Sequence, residues 1–243
     1  MPVYSDEAVV LRTFPLGEAD RIVIMLTRNH GKVKAVAKGV RKLKSRFGGR
    51  LEPFMRVSTL IAKGKSLDVI SQAVSLYAYA ASICADYDLY KYANLMVEVV
   101  DDIVGDSYQD SSSQYALLIA ALSALSRNAH SPETIGMSYV MRALCIAGWL
   151  PRIDSCAVCG TNENLCYFSP SSGGITCASD CSSESLRCND EVRQKIRALI
   201  QGDWNNLDGS ALDDVVVACV KSWCEYYLER PIRSMNFSDS FLV

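Results

Sequence analysis

The chain has 243 residues, of which 49% are hydrophobic and 21% charged, a composition typical of a globular protein. Its net charge of −2 combines +8 over residues 1–80 with −10 over the remainder, so the first part is expected to have an anionic partner. There is no apolar leader and no run of about 18 uncharged apolar residues, and we therefore expect a cytoplasmic protein with no membrane partner.

The first 80 residues are predicted to form five β-strands. Extended apolar runs at 7–14 and 21–27 flank a turn with Pro and Gly, and a third strand follows Gly31. Two further strands, at 55–62 and 67–77, are joined by a short turn that is typical of a hairpin. Five strands in about 75 residues, with a long loop between the third and fourth, predict a small closed barrel of the OB type.

A run of ten basic residues without any acidic residue spans positions 21–51. In the third strand, Lys32, Lys34 and Lys38 alternate with small apolar residues, which predicts one lysine face. The loop that follows is basic, and its Phe47 could stack on an unpaired base. The alternative is a merely solvated face, but cations that neutralise phosphates bind nucleic acid through counterion release, and we predict a largely non-specific nucleic-acid interface. Its candidate residues are Arg28, Lys32, Lys34, Lys38, Arg41, Lys42, Lys44, Arg46, Phe47 and Arg50.

Beyond residue 79 the apolar period changes to that of helices. Pro132 is typical of a first helical position, and Ser210 with Asp213 predicts the start of the last helix. The predicted helices span 90–104, 114–127, 132 to about 148, 189–201 and 211–230, with a polar loop at 106–113. We therefore predict an α+β protein with an OB-fold domain at 1–80 and a helical domain at 81–243.

Six of the ten cysteines lie between positions 156 and 188. Two pairs, Cys156 with Cys159 and Cys177 with Cys181, have the spacing at which a tight turn presents two thiolates to one metal ion. They predict a zinc-ribbon-like insert at about 151–187 that holds one structural zinc ion. Because three residues separate the second pair, Cys188 remains an alternative fourth ligand.

No enzymatic activity is predicted. The chain contains no phosphate-binding loop, dinucleotide fingerprint or nucleophile elbow, and its two histidines are 100 residues apart. Glu98, Asp101 and Asp102 share one side of a predicted helix and could hold Mg²⁺, but a solvated helix face is the favoured interpretation. A zinc bound by four thiolates has no open position for water and is predicted to be structural.

Short segments spread over almost the whole chain carry a resemblance to a known family. They are EAVVLR (7–12), GEADRIV (17–23), HGK (30–32), VAKGVR (36–41), KSRFG (44–48), LEPF (51–54), CAVCG (156–160), FSP (168–170), the Gly173–Gly174 pair before Cys177, and RPIRS (230–234). In their order and spacing they resemble the bacterial RecO family of recombination-mediator proteins.

The resemblance implies an N-terminal OB-fold, a helical C-terminal domain and, in many members, a four-Cys zinc site. It also implies a nucleoid-associated protein of DNA repair that binds single- and double-stranded DNA, anneals complementary strands and works with RecR. Together they would help a RecA-type recombinase replace single-strand-binding protein. The acidic tail of the latter is expected to dock in the helical half, and the candidate contacts are Arg142, Arg193, Lys195 and Arg197.

Two alternatives remain at this level. The first is a zinc-ribbon OB-fold protein that acts on RNA or as a transcription accessory factor. The second is a metal-dependent nuclease that uses the acidic helix face. The sequence does not choose among the basic residues that would contact phosphate, and it leaves the oligomeric state and the strand preference open.

Overall fold

The computed structural model describes residues 2–105, 111–207, 209 and 211–235. The chain divides into two compact units, the first ending at Ala129 and the second beginning at His130. Among the helices of the described residues, none combines the length and the apolarity that crossing a membrane requires.

The first unit contains a closed five-stranded barrel. Its strands are β1 (Val3–Leu16), β2 (Asp20–Thr27), β3 (Lys32–Ala37), β4 (Met55–Ala62) and β5 (Asp68–Ala78). They are joined in the order β1-β2-β3-β5-β4, and β4 pairs with β1 to close the barrel. All pairings are antiparallel except that of β3 with β5. This is the arrangement of an OB-fold, so the predicted α+β class with an N-terminal OB barrel is confirmed.

The alternation of apolar residues explains the barrel. Ala8 and Val10 on β1, like Val23 and Met25 on β2, point inward and are buried, because side chains two residues apart share one face. The first strand is longer than the prediction of 7–14, since its first residues pair with the end of β4. A register shift after Val10 marks the bulge at which β1 bends between its two partners.

Three helices complete this unit: α1 (Ala80–Ile83), α2 (Tyr87–Val104) and α3 (Ser112–Ser126). α2 begins three residues before its predicted start because the Asp86 carboxylate caps it, accepting hydrogen bonds from the backbone N–H groups of Asp88 and Leu89. The loop predicted at 106–113 falls mainly on residues 106–110, which lie outside the described residues, and α3 already begins at Ser112.

The acidic face of α2 fastens this helix to the barrel. The Asp101 carboxylate is 3.0 Å from the Lys32 ammonium group and 3.2 Å from the Arg12 guanidinium. Only 13% of the Asp101 side chain and 9% of the Lys32 side chain are exposed. The prediction of a solvated face is therefore wrong for Asp101, because the barrel covers it with two cations.

A second polar link joins β1, β4 and α3. The Arg56 guanidinium donates to Glu7 at 2.7 Å and to the Tyr115 hydroxyl at 3.3 Å, and that hydroxyl donates to Glu7 at 3.1 Å. The hydrogen bond from Arg56 lowers the pKa of Glu7 against the opposing effect of burial. Burial raises the pKa of Tyr115 to about 12, so its hydroxyl stays a donor at neutral pH.

Replacing Glu7 with Gln should lower the melting temperature at pH 7 and weaken its dependence on acid. Because the folded-state pKa of Glu7 lies below its ordinary value of about 4.5, its contribution is present above that value and is lost as pH falls through the folded-state pKa. Since Glu7 is 33% exposed, we expect an effect of about 1 kcal/mol or less. Thermal unfolding between pH 7 and pH 3 measures it, with Glu18→Gln as an exposed control. Parallel pH profiles for Glu7→Gln and the native chain would contradict the role assigned to Glu7.

The second unit combines helices with a small sheet. Its helices are α4 (Pro132–Ile146), α5 (Asp190–Gln201), α6 (Trp204–Leu207) and α7 (Asp214–Leu228), followed by a 3₁₀ turn at Arg233–Met235. The sheet has the order β7-β6-β8, with β6 (Leu165–Ser169), β7 (Gly174–Cys177) and β8 (Leu186–Arg187). The predicted start of the last helix at 211 is wrong. The Asp213 carboxylate accepts from the N–H of Val215 and caps α7, while Ser210 lies outside the described residues.

Trp223 on α7 is the centre of the second core. Its buried ring lies 5.4 Å from that of Phe168 on β6, and its indole N–H donates to the carbonyl oxygen of Trp149 at 3.1 Å. Buried Tyr139 and Leu199 on α4 and α5 extend this core. The sheet, whose strand β7 ends at Cys177, is thereby held against α7.

Candidate nucleic-acid interface and metal centre

The segment between β3 and β4 is a succession of tight turns. Backbone N–H groups donate to carbonyls three residues earlier, from Lys42 to Gly39, from Ser45 to Lys42 and from Gly48 to Ser45. The same pattern continues to Met55. This segment, residues 38–54, is called the basic loop below.

Two apolar side chains anchor the basic loop. Phe47 and Leu51 are each 1% exposed and belong to the barrel core together with Val57 and Ile61. The expectation that Phe47 stacks on a base therefore fails, because its ring is already enclosed by protein. Its burial holds the loop against the barrel, while residues 48–50, between the two anchors, stay on the surface.

The loop is also tied to the turn between β1 and β2. The N–H of Arg41 donates to the carbonyl of Ala19 at 2.9 Å, and its guanidinium donates to that of Gly17 at 3.1 Å. The Asp20 carboxylate accepts from the N–H of Gly39 at 2.7 Å. These hydrogen bonds present the cations of the loop on a defined surface.

Most of the predicted cations are exposed. They are Arg28, Lys34, Lys38, Arg41, Lys42, Lys44, Arg46 and Arg50. Lys32 departs from the prediction of a single lysine face, since its ammonium group also donates to the backbone carbonyl of Asp101 at 2.9 Å and is largely buried. On the same strand face Val36 is buried as well. Neighbouring α2 explains the burial of Lys32, and strand periodicity alone carries no information about that helix.

The cysteine pairs converge on one point in the second unit. Cys156 and Cys159 lie on a turn closed by the N–H of Gly160, which donates to the carbonyl of Cys156 at 3.0 Å. Gly160 has a positive φ of 77°, a conformation that glycine adopts without steric cost. Cys177 ends β7, and the turn after it brings Asp180 to the same place.

The four donor atoms of Cys156, Cys159, Cys177 and Asp180 lie within 4.8 Å of one another. The sulfurs of Cys159 and Cys177 are 3.8 Å apart, and the Asp180 carboxylate is 3.2 Å from the sulfurs of Cys156 and Cys177. Tetrahedral zinc with Zn–S bonds of about 2.3 Å requires sulfurs about 3.8 Å apart. The spacing and the donor chemistry therefore fit a metal ion.

Cys181, predicted as the fourth ligand, lies outside this cluster. Its thiol is exposed and contacts the carbonyl of Ala178 at 3.3 Å. Cys188, the alternative, is buried, and its thiol donates to the carbonyl of Asn189 at 3.5 Å, outside the cluster. Asp180 takes the position instead because it stands three residues after Cys177, the same spacing that separates Cys156 from Cys159.

Comparison with known proteins decides the family. The N-terminal model of recombination protein O matches residues 1–79, and its C-terminal model matches residues 84–236. The chain belongs to the recombination protein O family. "DNA repair protein RecO" of Bifidobacterium longum (strain DJO10A) is 54% identical over 240 residues, which cover 99% of this chain and all of that one.

More distant members of the recombination protein O family match over a similar extent. The proteins named "DNA repair protein RecO" of Nocardioides sp. (strain ATCC BAA-499 / JS614) and Thermobifida fusca (strain YX) are 40% and 38% identical. Each match covers 98% of this chain and 99% of the relative. The resemblance to the RecO family that the sequence motifs indicated is confirmed.

Proposed function

We propose that this chain is a DNA-binding recombination mediator that anneals complementary strands during DNA repair. The observation that carries the proposal is the exposed basic loop, held by buried Phe47 and Leu51 on an OB barrel. The chain belongs to a family whose members are named DNA repair proteins, and this supports a role in DNA repair. Functionally we divide the chain into residues 1–80, whose basic loop binds DNA phosphates, and residues 81–243, which include the surface that docks partners.

Annealing needs no catalytic group of the protein. Two single strands repel each other because each nucleotide carries a phosphate charge, and cations that bind both backbones reduce that repulsion. The exposed side chains of the basic loop supply such cations, while pairing between the two strands supplies the sequence specificity. The protein therefore acts without ATP and without a reaction of its own.

We infer that the metal ion is one zinc, held by Cys156, Cys159, Cys177 and Asp180. When bound, zinc supplies a cross-link between the two turns. With four protein donors it has no open coordination position, which makes it structural. Because the cluster adjoins the end of β7, whose sheet packs on α7, we expect the ion to stabilise the second unit.

Partner proteins are assigned to the second unit. We propose that RecR and the acidic tail of single-strand-binding protein dock there. A RecA-type recombinase then binds the single strand that is exposed. A pocket of about 410 Å³ on α5 is lined by Lys195 and Arg197, two of the candidates for the tail. Arg193 is engaged by Asp190 at 2.8 Å and Arg197 by Asp154, so an acidic tail would compete with these carboxylates.

Mixing complementary oligonucleotides with purified protein, without nucleotide and with or without Mg²⁺, tests the proposal. We expect duplex formation to accelerate at least about tenfold at low salt and to slow steeply as salt is added. Strands that stay intact with Mg²⁺ support a mediator without nuclease activity. Unaccelerated annealing would refute the proposal, and Mg²⁺-dependent cleavage would favour a nuclease.

A further inference from the structure

A cavity of about 710 Å³ opens on the first unit where β1, the end of the basic loop and the helices α1 and α2 meet. It falls within the range of about 300–1,000 Å³ that small-ligand sites occupy. The lining residues that matter here are Arg12, Phe14, Gly49, Phe54, Tyr90 and Asn94. We call this site the aromatic cavity.

Two half-exposed rings give the cavity its character. Phe14 is 47% exposed and Tyr90 is 45% exposed, values that leave much of each ring open to a ligand. Phe54 lies buried beside them and meets the Tyr90 ring edge-on, with the centroids 6.0 Å apart. The Phe54 ring thereby supports the Tyr90 ring, while nearly half of the Tyr90 residue remains exposed.

Cations adjoin the aromatic cavity, whose lining also includes the Glu52 carboxylate, paired with Arg21 at 2.6 Å. Gly49 contributes to its lining and directly precedes Arg50, whose exposed guanidinium donates to the carbonyls of Arg46 and Phe47 at 3.1 and 3.2 Å. A strand whose phosphates follow the basic loop would therefore pass the mouth of the cavity. Aromatic rings beside a cationic groove are the combination with which proteins bind unpaired bases.

We propose that the aromatic cavity receives an unpaired nucleobase of a DNA strand whose phosphates lie on the basic loop. This inference rests on the proposed DNA-binding function and adds a feature that cations alone do not supply. Phosphate contacts hold single strands and duplexes alike, whereas a cavity for one base favours a strand with free bases. An apolar side chain of a partner protein is the less favoured occupant, because two exposed lining side chains, Phe14 and Tyr90, are aromatic rings and the adjoining loop is basic.

Phe14→Ala and Tyr90→Leu test the inference in the full-length protein, with single-stranded, duplex and abasic oligonucleotides as ligands. Because each variant loses one aromatic ring on which a base can stack, it is expected to bind single strands about tenfold more weakly. Duplex affinity and the salt dependence should stay unchanged, since no cation is removed. An abasic strand should bind the native and variant proteins equally well.

Matched controls lie beside each ring. Leu16 is on β1 two residues after Phe14, and Tyr87 is on α2 one turn before Tyr90. Both are exposed, and neither contributes to the cavity lining. Their replacement by Ala should leave single-strand affinity unchanged, and thermal unfolding of all four variants verifies their folding.

Photocrosslinking provides the second measurement. A single strand with 5-iodouracil should crosslink to Phe14 or Tyr90, as identified by mass spectrometry. The inference would be overturned if the cavity variants lost duplex and single-strand affinity equally, or if crosslinks were found only elsewhere. Annealing by the native protein would still leave the proposed function standing. Native single-strand affinity in both variants combined with lost binding of an acidic peptide that ends in an apolar residue would assign the cavity to a protein partner instead.

Discussion

Replacing Lys38, Arg41, Lys42 and Lys44 together with Ala should greatly weaken DNA binding and flatten its salt dependence. All four side chains are exposed on the anchored basic loop. Each phosphate that a cation neutralises adds about 0.9 to the log–log salt slope for duplex DNA and about 0.7 for single strands. Removing four such cations therefore predicts a slope reduced by about 3 units. Because DNA affinity at low salt comes mainly from these charges, the rate of annealing should fall together with that affinity.

Fluorescence titration at several salt concentrations measures this slope. Arg152 and Arg187, two exposed arginines of the cysteine insert, provide a control for the general change in charge when replaced by Ala. The control should change the slope little. A native slope in the four-site variant would mean that the basic loop is only a solvated face, and melting temperatures within a few degrees of each other exclude a folding defect.

Asp180→Ala should remove the metal, whereas Cys181→Ala should keep it. The Asp180 carboxylate lies within 3.2 Å of two cluster sulfurs, while the Cys181 thiol contacts a backbone carbonyl. Loss of a ligand should lower zinc affinity by more than the roughly 10–100-fold that changes around a ligand cause. Since metal binding stabilises only the folded site, the second unit should also unfold at lower temperature.

Native mass spectrometry counts the zinc, and a chelator competition gives its affinity. Asp180→Cys should retain one zinc ion, because it recreates the spacing of the first pair, and Cys156→Ser should behave like Asp180→Ala. DNA binding through the first unit should be largely spared in both of the metal-free variants. If Cys181→Ala lost the metal and Asp180→Ala kept it, the four-thiolate set predicted from the sequence would be right.

A local sequence pattern predicts the structure correctly where it is compatible with only one kind of strand or helix. The two-residue alternation on β1 and β2 specifies which side chains enter the barrel, and β4 begins and ends where predicted. The apolar period predicts the helices, and α4 begins at Pro132, the residue type that indicated a first helical position. These signals act within a few residues, so neighbours in the chain suffice to read them.

Two of the errors at the candidate sites concern groups whose partners come from distant segments. The basic neighbours of Phe47 in the chain predict an exposed ring. Leu51, four residues later, is apolar as well and indicates that the two side chains anchor the loop together. Lys32 resembled its strand neighbours until Asp101, 69 residues away, covered it. A search for pairs of cysteines misses Asp180, because the residue three positions after Cys177 is a carboxylate and not a thiol.

The amino-acid sequence by itself determined the barrel, the helices, the family and the uneven division of charge, since these depend on periodicity, composition and motif order. Tertiary structure decided which charges are available. It assigned one lysine to an ion pair, one phenylalanine to the core and one carboxylate to the cysteine cluster. The physical reason is that burial and convergence depend on which remote side chains meet, and only the packed chain fixes those encounters.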